Sequence, residues 1–525
     1  VLVSDPIDQA GIDILSQVAQ VDQRPGLSPE ELISVIGEYD GLMIRSGTQV
    51  TAEVIAAASR LKIVGRAGVG VDNVDVPAAT QRGVLVVNSP EGNTIAAAEH
   101  ALAMMLSISR HVPQAHAGMR VGKWDRKKYV GNELYKKTLG VVGLGKIGSH
   151  VAKVARAMGM EVIAYDPFIA ADRAQQMQVR LTELAELFRT ADYVTLHIPR
   201  TKDTENLVNA ELLRTMKPSA RIVNCARGGV VDEAAIAEAI DQGVIAGAGL
   251  DVFASEPLAE DSPLRAVERG LVLTPHLGAS TEEAQENVAI DVAEQIRDVL
   301  LGLPARSAVN IPGLSAEIME RLKPHLQLAE TVGGLLSQLA GGQVQELELR
   351  LQGEFASHPS QPLLIASLKG LLGAVLGDSI NFVNASLEAK ARGIRVVEVK
   401  DEASRDFTGG SLQLISRGDQ GSRSVTGAVF ADGELRITSI DAFPVNVTPS
   451  SHMLFTRHRD MPGIIGKLGS LLGEHNVNIA SMQVGRKIVR GDAVMVLSID
   501  DPVPAALLEE LTAIDGIQEA HPVTL

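Results

Sequence analysis

The fold of this chain is decided by the stretch TLGVVGLGKIG, residues 138–148. Its apolar first half predicts a short strand, its glycines predict a tight turn, and the residues up to Met158 predict a helix. Gly143, Gly145 and Gly148 have the spacing G-x-G-x-x-G. In that spacing the glycines permit the turn, admit a pyrophosphate to the backbone, and let the helix pack closely on the strand. The free N–H groups at the start of the helix then face the phosphates.

The next predicted strand supplies the second half of a dinucleotide site. It covers Glu161–Tyr165 and is followed by Asp166, 18 residues after Gly148. At this distance an acidic side chain accepts hydrogen bonds from the adenosine ribose hydroxyls. A glycine turn alone often serves only packing, but the turn, helix, strand and acid together predict a dinucleotide site. Because a carboxylate repels a 2′-phosphate, the sequence favours NAD over NADP.

The composition is that of soluble globular domains. The 525 residues, 45% of them hydrophobic, suffice for about three or four domains. No apolar run reaches the ~18 residues of a membrane helix, and Val1–Asp5 predicts a strand and not a signal peptide. The formal net charge of −16 argues against nucleic acid as a partner. The single cysteine, Cys225, excludes an internal disulfide and favours a reducing cytoplasm.

Strands and helices alternate through the first 300 residues, which predicts parallel sheets covered on both faces. Two long helices, from Thr94 to about Gly118 and Thr281–Leu301, flank the region that contains the glycine turn. In residues 1–95 the predicted strands are Val1–Ser4, Gly41–Arg45, Ile63–Arg66 and Val84–Asn88, and the predicted helices are Asp8–Val18, Ser28–Ile36 and Thr51–Ala58. After Tyr165 the predicted strands are Tyr193–His197, Arg221–Asn224, Ala248–Asp251 and Leu271–Leu273.

The remaining third of the chain has a different pattern. Residues 301–307 read as a domain boundary. Residues 316–450 start helical and then predict strands, including Ser411–Ser416 and Ser424–Phe430. Residues 451–525 predict the order strand, helix, strand, strand, helix, strand, which is that of a ferredoxin-like domain.

Three polar residues follow predicted strands of the dinucleotide half, where parallel sheets bind ligands. They are Arg227, Glu256 and His276. Oxidation of an alcohol by hydride transfer needs a base for the hydroxyl proton, for which a histidine has a suitable pKa. An arginine fork holds a carboxylate, and a glutamate behind the histidine stabilises the imidazolium. Taken singly, the histidine could be structural, the glutamate could cap a helix after Pro257, and the arginine could be a surface cation; their joint occurrence favours catalysis.

The first 305 or so residues resemble the D-isomer-specific 2-hydroxyacid dehydrogenases. The matching pieces are residues 143–148 with Asp166, 224–229, 250–257 and 275–280. The resemblance assigns the three roles above to Arg227, Glu256 and His276, and it implies that Asp251 lies near the nicotinamide amide. The residues that it implies to line the cofactor are Lys146, Ile147, Ile198, Cys225, Ala226, Arg227, His276, Leu277, Gly278 and Ala279.

Loops after strands of the first domain supply the candidate substrate residues. Arg45, Arg66 and Asn93 lie at the predicted cleft edge, and the backbone of Gly68, Val69 and Gly70 offers N–H groups to a carboxylate. The alternative for Arg45 is a salt bridge to a nearby aspartate. A second candidate set surrounds the only tryptophan, Trp124, and consists of Arg120, Lys123, Arg126, Lys127 and Lys128. In so acidic a chain this basic cluster is either a solvated face or a field that attracts a multiply charged anion, such as a phosphate ester, with Trp124 and Arg126 at the substrate.

Residues 451–525 resemble an ACT domain, a small-molecule sensor of amino-acid biosynthetic enzymes. The resemblance rests on residues 459–465 and 475–479. With this tail, the chain is similar to the long members of the dehydrogenase family, which oxidise 3-phospho-D-glycerate to 3-phosphooxypyruvate with NAD at the entry to serine synthesis. The resemblance implies serine as an effector at His458, Asp460 and Asn478, and a homo-oligomer, with a tetramer favoured. For Asp460 the alternative is helix capping.

The expected fold class is α/β, with two doubly wound Rossmann-like domains, an α+β intervening domain and a ferredoxin-like ACT domain. The two long helices are expected to cross between the first two domains. The expected bounds are 1–95 with 281–304 for the substrate-binding domain, 96–280 for the NAD-binding domain, 305–450 for the intervening regulatory domain and 451–525 for the ACT domain.

Two other functions are compatible with the catalytic region. A glyoxylate or hydroxypyruvate reductase shares the arginine, glutamate and histidine but usually has no ACT tail, so residues 306–525 count against it. A non-catalytic NAD-sensing protein on the same fold keeps much of the site, and the acidic charge and the sensor tail count against it. No metal site is expected, because the 12 histidines show no ligand spacing.

Overall fold

The computed structural model of the protein describes residues 1–311, 316–402 and 410–525. These residues form four β-sheets, two of them entirely parallel. Among the helices in these ranges, none combines the length and the apolar character that a membrane span requires.

The first sheet is parallel and five-stranded, in the order β2-β1-β3-β4-β5. Its central strands are buried on both faces, which is why their sequences are continuous apolar runs. The sequence predicts four of the strands and three of the helices but neither β2 nor α4, because β2 is two polar residues long and α4 has few apolar ones. The elements are β1 (Leu2–Val3), α1 (Gln9–Ser16), β2 (Asp22–Gln23), α2 (Pro29–Val35), β3 (Gly41–Ile44), α3 (Ala52–Ala57), β4 (Ile63–Arg66), α4 (Val76–Arg82) and β5 (Leu85–Asn88).

Two helices follow where the sequence predicts one. They are α5 (Thr94–Arg110) and α6 (Val112–Arg120). His111 between them has a left-handed backbone with φ +55°, and Pro113 lies in the first turn of α6. The prediction of one continuous helix to about Gly118 is therefore wrong, because a proline starts a helix better than it continues one.

The second sheet is parallel and seven-stranded, in the order β12-β11-β10-β9-β6-β7-β8. The chain runs outward from β6 to β8 and then returns to β9 on the other side of β6. This reversal of direction creates the crevice in which such sheets bind ligands. The elements are β6 (Thr138–Val142), α7 (Lys146–Ala157), β7 (Glu161–Tyr165), α8 (Ala171–Gln176), β8 (Arg180–Leu181), α9 (Leu184–Thr190), β9 (Tyr193–Leu196), α10 (Ala210–Arg214), β10 (Arg221–Asn224), α11 (Glu233–Asp241), β11 (Gly247–Leu250) and β12 (Leu271–Leu273).

Two crossings of the chain join these sheets. Helix α5 packs Met105 and Ile108 into the core beneath the second sheet. Helix α12 (Glu282–Leu300) returns and packs Val292 and Ile296 against the first sheet. The first sheet is thus completed by residues from far along the chain, as the two long predicted helices suggested.

The segment after α12 covers the edge of the first sheet. Val309 N–H donates to Val86 O at 2.7 Å, and Asn310 Oδ1 accepts from Val86 N–H at 2.9 Å. The Asn310 amide also donates to Val84 O at 2.9 Å. These bonds satisfy backbone groups that an edge strand would otherwise expose. The structure therefore adds residues up to Asn310 to this sheet, whereas the predicted boundary lies at 304.

The third sheet is mixed and six-stranded, in the order β14-β13-β15-β16-β17-β18, with only β13 and β14 parallel among its pairs. Two long helices pack together on it and share its core. The elements are α13 (Ala316–Ala340), β13 (Val344–Gln352), α14 (Ser360–Leu376), α15 (Ala385–Ala391), β14 (Arg395–Asp401), β15 (Ser411–Gly418), β16 (Gly421–Val429), β17 (Leu435–Ile440) and β18 (Phe443–Val447).

The fourth sheet is antiparallel, in the order β20-β21-β19-β22, which is the ferredoxin-like arrangement that the sequence predicts. The elements are β19 (His452–Arg459), α16 (Ile464–Glu474), β20 (Ile479–Arg486), β21 (Asp492–Ile499), α17 (Ala505–Ala513) and β22 (Ile517–Thr524).

Helices α13 and α14 cross with their backbones in contact at glycines. A Cβ atom on Gly370 would overlap the carbonyl oxygen of Glu330, and one on Gly333 would overlap the carbonyl oxygen of Ser367. A Cβ atom on Gly373, one turn further along α14, would meet nothing within 4 Å. Substitutions at Gly370 and Gly373, both on α14, therefore distinguish an effect on helix packing from an effect on helix propensity.

We expect Gly370→Ala to lower the free energy of unfolding by about 1–3 kcal/mol, because the added methyl group forces the helices apart. Gly373→Ala, the matched control, should raise it by roughly 0.5–1 kcal/mol, since alanine loses less entropy in a helix than glycine. Urea denaturation followed by circular dichroism measures both. If both substitutions change the free energy of unfolding in the same direction, the close contact between α13 and α14 is contradicted.

Candidate active site

In the glycine turn between β6 and α7, one of the three glycines has free space where a side chain would begin, and the other two do not. Gly143 has φ +93°, and a Cβ atom there would lie 2.6 Å from the carbonyl oxygen of His197. A Cβ atom on Gly148 would overlap the carbonyl oxygen of Gly143. At Gly145, the N-cap of α7, a Cβ atom would meet nothing within 4 Å. Two glycines are thus required by packing, and the third opens the helix N-terminus to a phosphate group, which fits NAD.

Asp166 at the end of β7 holds this turn from the other side. Its Oδ2 accepts from Leu144 N–H at 2.8 Å, and its Oδ1 accepts from Phe168 N–H at 2.9 Å. The carboxylate therefore orders the glycine turn, a role that the sequence does not predict. Its predicted contact with the ribose stays a prediction.

The other predicted cofactor residues follow strand ends at the same edge of the second sheet. Ile198 comes after β9, and its side chain lies next to Gly143. Cys225 and Ala226 come directly after β10. Leu277, Gly278 and Ala279 come after β12. Ile147 packs partly buried on the core next to the glycine turn, whereas the exposed Lys146 forms an ion pair with Glu91 of the first domain.

His276 and Glu256 form a directly hydrogen-bonded pair. His276 Nδ1 lies 2.7 Å from Glu256 Oε2, and Glu256 Oε1 accepts from Phe253 N–H at 3.0 Å. A carboxylate can only accept, so Nδ1 carries the proton and Nε2 is left as the basic nitrogen. The glutamate therefore sets the tautomer of a histidine whose side chain is 48% exposed. The alternative in which Glu256 caps a helix is wrong, since its oxygens bind His276 and Phe253.

The backbone on either side of His276 is fixed by Asp251, a fully buried carboxylate. Its Oδ1 accepts from the Thr274 hydroxyl at 2.6 Å and from Leu277 N–H at 2.8 Å, and its Oδ2 accepts from Gly278 N–H at 2.9 Å. Burial raises the pKa of a carboxyl, but the donors, His100 first among them, outweigh it and lower the pKa of Asp251. The predicted position of Asp251 near the nicotinamide amide stays a prediction; within the protein its oxygens are engaged with this loop.

One set of side chains in the described ranges has a metal-like spacing, but its chemistry does not suit a metal. Ligand atoms of His100, Cys225 and Asp251 lie within 4.8 Å of one another. The Asp251 oxygens already accept hydrogen bonds from several donors. Burial, with the Asp251 charge, raises the pKa of the Cys225 thiol, so it stays protonated, whereas a metal binds the thiolate.

Three arginines meet across the cleft. Arg227 Nε lies 3.3 Å from Asp72 Oδ2 of the first domain, and its Nη1 donates to Ala226 O at 2.7 Å. Burial, together with the charges of Arg227 and Arg45, lowers the pKa of Arg66 to about 10. Such a concentration of positive charge suits a substrate that carries more than one negative charge.

Among the described residues, no aspartate forms an ion pair with the Arg45 side chain, which was the alternative to substrate binding. The nearby Asp5 carboxylate accepts instead from the backbone N–H of Arg45 at 2.6 Å. The guanidinium group lies 3.5 Å from Gln285 Oε1, at the limit of a hydrogen bond. Arg45 therefore keeps donors that a substrate can use.

The loop of Gly68, Val69 and Gly70 contacts two of these arginines. A Cβ atom on Gly68 would overlap the Arg66 guanidinium, and one on Gly70 would overlap that of Arg227. Within the described ranges, the loop N–H groups donate to no protein acceptor. Asn93, the N-cap residue of α5, has a buried Oδ1 without a hydrogen-bond partner among those residues. The loop thus lies against Arg66 and Arg227 with N–H groups that a ligand can use, and Asn93 offers a further acceptor.

The structure does not bring the basic cluster to these arginines within one chain. Trp124 is 74% exposed, and Arg126 lies in an exposed single turn, Arg126–Tyr129. The role of Trp124 and Arg126 at the substrate stays a prediction.

The predicted effector residues lie on the fourth sheet and its loops. His458 on β19 is 1% exposed, and burial lowers its pKa. Asp460 Oδ2 accepts from Arg486 Nη1 at 2.8 Å and from Arg490 N–H at 3.1 Å. The Asn478 amide donates to Asp500 Oδ2 at 2.7 Å. The capping alternative for Asp460 is wrong, because α16 has a glycine at residue 463 as its N-cap.

Three parts of the chain match known families. Residues 102–278 match the NAD-binding domain of the D-isomer specific 2-hydroxyacid dehydrogenases. Residues 321–441 match the D-3-phosphoglycerate dehydrogenase intervening domain, and residues 452–516 match the ACT domain. The matches follow the second, third and fourth sheets in turn.

Relatives match over the whole length. The chain is 63% identical to a D-3-phosphoglycerate dehydrogenase from Synechocystis sp. over 526 residues, which cover 100% of this chain and 94% of the relative. It is 44% identical to one from Archaeoglobus fulgidus, with 100% of both chains covered. A crystal structure of a Thermus thermophilus protein, 35% identical, superposes with a TM-score of 0.55 over 59% of this chain and 99% of that one. The chain belongs to the D-3-phosphoglycerate dehydrogenase family.

Proposed function

We propose that this chain oxidises 3-phospho-D-glycerate to 3-phosphooxypyruvate with NAD, the first step of the phosphorylated route to L-serine. The full-length identity to relatives of that name supports the reaction. The observation in the structure that carries it is the 2.7 Å contact of His276 with Glu256, at the edge of the second sheet where Arg227 faces Arg45 and Arg66. A general base next to a cationic pocket is what a phosphorylated 2-hydroxy acid needs.

Each of these residues has a separate role in the proposed reaction. Arg227 and the N–H groups of residues 68–70 hold the substrate carboxylate, and Arg45 and Arg66 attract the phosphate. His276 Nε2 takes the C2 hydroxyl proton, and Glu256 stabilises the resulting imidazolium. The glycine turn and Asp166 would hold NAD, whose nicotinamide would accept the hydride from C2 of the substrate.

The reaction is tested by following NADH formation at 340 nm with 3-phosphoglycerate while the keto-acid product is trapped. We expect turnover with 3-phosphoglycerate and little with glyoxylate or hydroxypyruvate in the reverse direction, because neither carries a phosphate for the arginines. Activity on glyoxylate or hydroxypyruvate alone would show a reductase. No turnover of any hydroxy acid would show a binding protein.

We expect His276→Ala to lower kcat by ~10² to 10⁴, the usual contribution of a general acid–base. Glu256→Gln should lower kcat by a smaller factor, since the amide oxygen still accepts from Nδ1 but no longer stabilises the charged ring. His475→Ala, in the fourth domain, is the matched control and should keep the wild-type kcat. Near-normal turnover of His276→Ala would remove the histidine from the mechanism.

We further propose that serine regulates the enzyme at the ACT domain. An aspartate and an asparagine suit the ammonium and carboxylate groups of an amino acid, and Asp460 and Asn478 lie at the loops that flank α16. The Asp460 carboxylate already holds Arg486, so serine would exchange with that contact. Serine binding would restrain the closure of the catalytic cleft.

Asp460→Asn should therefore abolish inhibition by millimolar serine and leave kcat without serine unchanged. Asp501→Asn, which changes the same charge on another loop of the domain, should keep the wild-type response. The measurement is the initial rate as a function of serine concentration. Equal inhibition of both variants would remove Asp460 from the effector site.

We propose a homo-oligomer, with a tetramer favoured, because ACT sheets commonly pair across a symmetric interface. Exposed apolar side chains on α6 and the segment that follows it suit self-association as well. They are Val112, Met119, Val121, Trp124 and Val130, each between 52% and 76% exposed. The proposed location is the cytoplasm, since the chain has one cysteine.

A further inference from the structure

A histidine on the long helix α5 reaches the carboxylate behind the catalytic loop. His100 Nε2 lies 3.1 Å from Asp251 Oδ1 and 3.2 Å from the hydroxyl of Thr274. The side chain of His100 is 19% exposed, and Asp251 is fully buried. These residues are 151 positions apart in the chain, and nothing in the proposed reaction uses the histidine.

Asp251, which His100 contacts, accepts hydrogen bonds from His276 and from residues on both sides of it. The N–H of His276 donates to the Asp251 carbonyl at 2.8 Å, and the N–H groups of Leu277 and Gly278 donate to the Asp251 carboxylate. His276 itself has φ +55°, a left-handed conformation that costs a non-glycine residue about 1 kcal/mol or more. Such a conformation persists only while surrounding hydrogen bonds hold it.

The position of the Asp251 carboxylate depends in turn on its donors. Thr274, Leu277 and His100 all approach Oδ1, and Leu277 belongs to the loop that is being held. Among the described donors to the Asp251 carboxylate, His100 is the one that lies outside β12 and the loop that follows it. Its helix packs on the second sheet through Met105 and Ile108, so it provides a fixed point.

We propose that His100 is a positioning residue of the dehydrogenase reaction. It donates from Nε2 to Asp251, which fixes the loop from Thr274 to Gly278 and thereby holds the imidazole of His276 at the substrate. His100 touches no reacting atom. The proposal rests on the proposed function of His276.

The test compares His100→Leu with His100→Gln in the full-length protein. Leucine removes the donor at similar size, whereas the glutamine amide restores an N–H group near the Nε2 position. We expect leucine to lower kcat by about tenfold to hundredfold, as a small misplacement of a catalytic group does. The KM for 3-phosphoglycerate should change by less than about twofold, because the substrate-holding arginines are untouched, and glutamine should return kcat to within about threefold of wild type.

Hydrogen–deuterium exchange provides a second readout that does not depend on turnover. The amides of Leu277 and Gly278 should exchange faster in His100→Leu than in the wild type and return toward the wild-type rate in His100→Gln. Glu99→Gln, an exposed neighbour on the same helix, is the matched control and should leave kcat and exchange unchanged. If His100→Leu does not fold, Thr274→Val removes another donor to the same oxygen and should give the same two effects.

Three results would overturn the proposal. They are wild-type kcat and exchange in His100→Leu, a glutamine variant as impaired as the leucine variant, and a raised KM with unchanged kcat. A wild-type protein without turnover on 3-phosphoglycerate would refute the proposed function instead, and the exchange measurement would still decide whether His100 holds the loop.

Discussion

The reacting geometry depends on one buried carboxylate. Asp251 has no solvent exposure, and burial alone would favour its neutral form, but its donors lower its pKa and keep it charged. In return the charged carboxylate orders the N–H groups on one side of His276 and the hydroxyl of Thr274 on the other. The direct partner of the imidazole, Glu256, sets the tautomer and faces the charge that the ring would gain. Positioning of the loop and support of the imidazole are thus assigned to two different acids.

The two α/β domains contribute different charges to one cleft. The first supplies Arg45 and Arg66 with a loop of unused N–H groups, and the second supplies Arg227 and the histidine. Two ion pairs also join the domains across the cleft, one between Arg227 and Asp72 and one between Lys146 and Glu91. A substrate carboxylate and phosphate can therefore bridge the domains, and closure over them would exclude water from the developing imidazolium.

Much of this follows from local sequence patterns. The glycine turn, the strand that ends at Asp166 and the residues after β10, β11 and β12 were predictable because strand ends and turns leave signatures within a few residues. The break at His111 has a local signature in Pro113, which the apolar periodicity of the two helices hides. The two-residue strand β8 has no such signature, since it is too short to show a period. The contacts of Asp251 with His100 and of Arg227 with Asp72 join residues more than 150 positions apart, and no local pattern specifies such a pair. The exposure of Trp124 likewise depends on packing that composition does not encode.

In the proposed reaction, this chain removes hydride from C2 of 3-phospho-D-glycerate while His276 takes the hydroxyl proton. The most direct measurement is turnover of substrate deuterated at C2, followed by mass spectrometry of the reduced nicotinamide. We expect one deuterium per reduced nicotinamide, and a slower His276→Ala variant with the same transfer. Deuterium found in water instead would contradict hydride transfer, because C2 would then lose a proton and not a hydride.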